Sequence, residues 1–164
     1  MTLQTNAASI TLHNLLAAWQ REVNNATQLL ESLSDEQCLR HIAPGKNTGR
    51  YLFGHLVAVH DGMQSLLGLG DRLYAHWDEP FIRKPDGAAA GYPSMEEVRA
   101  AWQSVHSRLH HAFEALTPDA WMARHTAVSE EDFAQQPHRN RLNVLISRTA
   151  HLAYHTGQLA LLRP

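Results

Sequence analysis

Two histidines four residues apart, His151 and His155, stand in the segment His151-Leu-Ala-Tyr-His155 near the end of a 164-residue chain. On an α-helix such a pair lies about 40° apart on one face, one ring a turn above the other, so both imidazoles can reach one ion. Histidine is the commonest metal ligand among side chains, and this chain contains twelve. Spacing alone does not discriminate, because His106 and His110 repeat it. Surroundings do. The C-terminal pair shares its face with Val144, Leu162 and, near the edge, Leu159, and is flanked by small and apolar residues. His110 turns away from the stripe of Trp102, Leu109 and Phe113 towards solvent, so His106 and His110 read as a partly solvated helix edge.

Two imidazoles rarely make a tight site, and His55 is the best third. It falls within about 60° of Leu52, Val59 and Leu66 on a helical wheel, inside an apolar face. An unpaired buried polar ring is costly, so His55 needs a partner. That partner is either a shared metal ion or a backbone carbonyl in the core. His60 lies about 140° around from His55 and is not expected at the same ion.

Three neutral imidazoles would leave a coordination position open, the pattern of catalytic rather than structural zinc. An ion there can lower the pKa of bound water to about 7 or hold a thiol as thiolate. The thiolate is the nucleophile in thiol transfer. The lone Cys38 reads as a small buried hydrophobe, so such a thiol would come from a small cosubstrate. Arg148 shares roughly the same face and is a candidate for binding an anionic substrate. Gln158, one turn beyond Tyr154, is placed to bond a ligand or a neighbouring helix. His76, Trp77 and His138 are candidates for the rim of a pocket. No glutamate stands beside either histidine pair, unlike the HExxH arrangement.

Four helical segments must position these residues. Leu12, Leu15, Leu16, Trp19, Val23, Ala26, Leu30 and Leu33 carry the three-and-four spacing of a first amphipathic helix. A second runs from Asn47 or Thr48 to Leu67 and ends at Gly68 and Gly70. Ser94 with Glu97 three residues on is a capping-box signature, opening a third that extends to Leu116. Thr117-Pro118 starts a short helical turn. The fourth spans Asn140 to Leu162. Residues 69–93, broken by Pro80, Pro85, Gly87, Gly91 and Pro93, read as a long connection, which in a compact domain is often functional. Residues 124–139 read as irregular and polar. The pattern predicts an all-α four-helix bundle occupying one domain, 1–164.

Composition excludes several classes. The net charge is −2 with histidines neutral, and no basic cluster marks a nucleic-acid surface. No apolar run reaches membrane-spanning length. No basic-then-apolar leader opens the chain, and a single cysteine suits a reducing compartment, so a cytoplasmic protein is expected. Charged residues make up 18%, below the usual quarter, a weak sign of surface shared with another subunit.

The segment Gly54-His55-Leu56-Val57, together with His151, His155, Gly157 and Gln158, resembles the DinB/YfiT-like family of metal-dependent enzymes. The resemblance runs over nearly the whole chain, and its specific part is one histidine in the second helix plus H-x-x-x-H-x-G-Q near the C-terminus. It implies a bundle in up-down-down-up order, with a long crossover between the second and third helices. It implies one divalent ion, zinc or nickel foremost, held by His55, His151 and His155, and a homodimer. It also implies a small-molecule substrate and a low-molecular-weight thiol such as bacillithiol or mycothiol. The function expected is thus a metal-dependent thiol S-transferase or hydrolase; the alternative is a non-catalytic stress or binding protein that the metal only stabilises.

Overall fold

The computed structural model describes residues 7–163. Met1 to Asn6, the start of the segment read for a leader, and Pro164 lie outside the described residues. Seven α-helices follow in order: α1 (Ala7–Ser32), α2 (Asp35–Cys38), α3 (Gly49–Leu66), α4 (Met95–Glu114), α5 (Pro118–Met122), α6 (Glu130–Gln135) and α7 (Arg141–Leu159). The four long ones are those expected from periodicity. Among the described residues there is no strand, only two isolated bridges, His41 with Thr48 and Arg124 with Asn140.

Local chemistry sets the helix ends. Ser94 accepts from the Glu97 backbone N–H while the Glu97 carboxylate accepts from the Ser94 N–H, the predicted capping box. Thr48 and Asn140 cap α3 and α7 through the N–H groups of Tyr51 and Asn143. Gly68, at φ +67°, takes the left-handed conformation that lets the chain leave α3.

Buried side chains give the packing directions. Phe53 meets Trp102 at 6.1 Å and His60 meets His106 at 5.1 Å, so α3 and α4 run in the same sense. Leu162 packs on Gly49, His151 and His155 on His55, and Arg141 on Gly68, so α7 runs against α3. Trp19 meets Phe113, and Thr27 Oγ1 accepts from Trp102 Nε1, so α1 runs against α4. Trp121, Phe53, Leu56, Leu109 and Leu152 are among the fully buried side chains of the common core.

Residues 67–94 are more ordered than their proline and glycine content predicts. A 3₁₀ turn (Ala75–Trp77) and a π-helical turn (Glu79–Arg83) run back over α3. Their anchor is Asp61, wholly buried in α3. Its carboxylate accepts from the backbone N–H groups of Leu73 and Tyr74, both at 2.9 Å, and from Arg72 Nε. Arg72 in turn donates to Asp78 through both terminal nitrogens. The mutual pairing lowers the Asp78 pKa and raises that of Arg72, the hydrogen bond between them being the main cause in each. Trp77, expected at a pocket rim, is buried among Tyr74, His76 and Phe81, and with His76 it also lines a groove of about 550 Å³ over the crossover. The expectation of an irregular 124–139 segment also needs correction. Ser129 caps the six-residue α6 there, which buries no side chain and so leaves no apolar stripe to read.

Candidate metal centre

Gly54 is where the site begins. A Cβ there would come within 2.2 Å of the Phe81 ring, so glycine lets the π-helical turn lie flat on α3. The turn brings the Phe81 carbonyl to 2.8 Å from His55 Nδ1. A carbonyl only accepts, so Nδ1 carries the proton and Nε2 of His55 is a bare lone pair. Tyr51, one turn back, stacks on the same ring with planes 8° apart. Both partners considered for His55, the core carbonyl and the shared centre, are thus provided for, one by each nitrogen.

The α7 pair is built the same way. Gln158 Oε1 lies 2.7 Å from His155 Nδ1, while its Nε2 donates to the Tyr154 hydroxyl. His155 therefore also presents a bare Nε2. Gln158 thus supports a ligand candidate rather than binding a neighbouring helix.

The three rings converge. His151 Nε2 lies 3.2 Å from His55 Nε2 and 3.1 Å from His155 Nε2, and the ligand atoms of all three residues lie within 4.8 Å of one another. Zinc with Zn–N bonds of about 2.0–2.1 Å in tetrahedral geometry sets its nitrogens about 3.3 Å apart. The donor set therefore fits such an ion closely. Burial is the main cause holding all three rings below the usual imidazole pKa, with His151 at about 4. Neutral imidazole is the form that binds metal.

Arg148 stands one turn before His151 on α7. It is half-buried, its Nε has no protein partner, and burial lowers its pKa. Its charge contributes to the lowering at His55 and His151. His76 and His138 are exposed; His76 leans on Tyr74 and Trp77. Cys38 is fully buried, and burial raises its pKa, as suits a small hydrophobe. A groove of about 580 Å³ lies elsewhere, between α1 and α4 and against Trp102, Gln103 and His106.

Sequence periodicity missed a second histidine pair. His110 is exposed beside Glu114, as expected of a helix edge, but His106 is not on that edge. It is buried against Trp102, with Nδ1 2.8 Å from the Trp102 carbonyl and Nε2 2.9 Å from His60 Nδ1. His60 is wholly buried and is not among the three converging ligands, as its wheel angle indicates. Its partner became visible only once α4 was known to pack alongside α3.

A family model described as the DinB superfamily matches residues 18–159. The crystal structure of a conserved protein from Enterococcus faecalis is similar in fold, with a TM-score of 0.62 and 16% identity over 92% of this chain and 93% of that one. No curated protein matches. Among the described residues, no helix is long and apolar enough to cross a membrane.

Proposed function

The chain belongs to the DinB superfamily, and on that footing we propose that it is a metal-dependent enzyme holding one divalent ion, zinc or nickel, on His55, His151 and His155. One observation carries this reading: three Nε2 atoms converge while the Phe81 carbonyl and Gln158 Oε1 hold the protons of two of the rings on the far side. Three protein nitrogens leave a position free for a substrate atom. A bound ion there supplies Lewis acidity that makes a thiol or water nucleophilic near neutral pH.

The chain's own residues narrow the chemistry. Cys38 is buried and raised in pKa, so a transferred thiol comes from a low-molecular-weight cosubstrate. Arg148, half-buried one turn before His151, gives the centre a cation, whose guanidinium suits an anionic group on that cosubstrate or on its electrophilic acceptor. Thiol S-transfer fits these features best, and hydrolysis is the variant in which water replaces the thiol. A homodimer in the cytoplasm is the setting we expect.

Metal analysis of untagged protein should give about one zinc or nickel per chain, falling to near zero in His155→Ala. A wild-type content near zero would overturn the reading. Turnover of standard electrophiles with glutathione, bacillithiol or mycothiol, or of ester and amide substrates, should disappear in His151→Ala. A second reading, a metal-stabilised binding protein, is favoured by a groove of about 580 Å³ between α1 and α4, away from the three-histidine centre. Chelation would then lower the melting temperature, with no turnover of any substrate in the screen.

A further inference from the structure

Buried polar atoms are almost always hydrogen-bonded, so those without a protein partner mark places where something else completes the bond. Between α3 and α7, five such atoms belong to four residues: His60 Nε2, both amide atoms of Gln64, Arg148 Nε and His151 Nδ1. His60 and Gln64 are wholly buried in α3, one turn apart. The antiparallel register set by Leu162 on Gly49, the His55 contacts and Arg141 on Gly68 brings Arg148 opposite His60 and Val144 opposite Gln64. After burial and the adjoining His106, the groups that press most on the His60 ring are His151, Arg148 and His55.

Proton positions decide what can join them. The Trp102 carbonyl only accepts, so His106 carries its proton on Nδ1, and its Nε2 is bare. His60 must then donate from Nδ1 to His106 Nε2, at 2.9 Å, which leaves His60 Nε2 a buried lone pair. On the other side, a neutral His151 that binds an ion through Nε2 carries its proton on Nδ1. Arg148 Nε is a permanent donor. Two donors and one bare acceptor thus lie unpartnered on adjoining turns of α3 and α7, with the Gln64 carbonyl oxygen as a second acceptor. No direct bond joins them. A water molecule, with two sites to accept and two protons to donate, matches this set, and buried waters typically make about three such bonds.

We infer that one buried water joins the metal centre to the His60–His106 pair, accepting from His151 Nδ1 and Arg148 Nε and donating to His60 Nε2 and Gln64 Oε1. His60 is thereby a positioning residue: it holds the ring of His151 without touching the ion, as Phe81 and Gln158 hold the other two. His106 fixes which His60 nitrogen is free. All three ligands then have their Nδ1 proton engaged, the arrangement that outer partners impose on metal-binding histidines. The inference rests on the three-histidine metal reading and adds a component to it.

Two measurements test it. Zinc affinity, from competition with a chromophoric chelator, is compared between His60→Gln and His60→Met. These side chains have nearly the same shape, but only glutamine offers an acceptor oxygen. His60→Gln should stay within about threefold of wild type, and His60→Met should bind zinc at least about tenfold more weakly. Equal affinities in the two variants would overturn the inference while leaving the metal site intact. A wild-type protein that binds no zinc would instead overturn the metal reading itself. If either variant fails to fold, zinc-loaded wild type decides: imidazole ¹⁵N spectra should show His60 protonated at Nδ1 only, with a slowly exchanging His151 Nδ1 proton. A proton on His60 Nε2 would sink the proposal.

Discussion

Gln158 shows how one amide can govern a site it need not touch. Its oxygen fixes the His155 tautomer and its nitrogen engages Tyr154. Replacing Gln158 with alanine frees the ring to rotate and to carry its proton on the wrong nitrogen. Zinc affinity should fall about tenfold or more while stoichiometry at saturating zinc stays near one. Chelator competition reads the first and elemental analysis the second; an unchanged affinity would reduce Gln158 to a packing residue. At this scale the sequence was partly legible. His151 and His155 announced themselves by spacing and His55 by lying polar within an apolar stripe. The His60–His106 pair did not, because its bond crosses between helices whose relative placement no wheel contains. Asp61 likewise carried no signal, since a carboxylate beside His60 reads as an ordinary solvated residue until Arg72 and two loop N–H groups are seen to close on it.

At the level of elements, the crossover emerges as a structural member that Asp61 clamps to α3. Its proline-broken sequence hides this, since the order comes from one buried carboxylate and from two aromatic anchors, Trp77 and Phe81, rather than from periodicity. The four long helices were legible because each combines an apolar stripe with an end signal such as Ser94 with Glu97 or Gly68. α6 was not, because a six-residue helix that buries no side chain leaves nothing for a stripe to record. Asp61→Asn would keep the shape, remove the charge and place an amide where three donors converge. Breaking a buried charged pair costs about 3–5 kcal/mol, and the Arg72 side chain here is part-exposed, so a loss of about 2–3 kcal/mol is expected in urea unfolding. Because the same crossover carries the Phe81 carbonyl, zinc affinity should weaken in parallel, and proteolysis should begin within residues 67–94. A variant with wild-type stability and an uncut crossover would contradict the clamp.

For the molecule as a whole, buried histidines set the acid limit of the metal-free fold. Burial, the dominant cause for both rings, holds His60 well below the ordinary imidazole range and His106 at about 4. In the unfolded chain both take up protons near about pH 6.5. The unfolded state therefore binds more protons below that pH. Stability is full above about pH 6.5 and declines as the pH falls towards about 4, by up to about 1.4 kcal/mol per pH unit for each ring. Urea midpoints of metal-free protein should drop steadily between about pH 7 and pH 5, and the profile should be flatter in His106→Gln. A midpoint independent of pH over that range would mean these rings are not held neutral.

His55 and His151 are separated by 96 positions along the chain, yet they meet at one point. Consequently a polypeptide emerging from the ribosome owns one of the three proposed ligands until α7 has been made and docked. On the proposed reading, capture of an ion would therefore be a late event in biosynthesis, and its retention would report that α3 and α7 have come together. A chain cut between α6 and α7 would lose two of the three proposed ligands at once, so occupancy would report on integrity as directly as on chemistry.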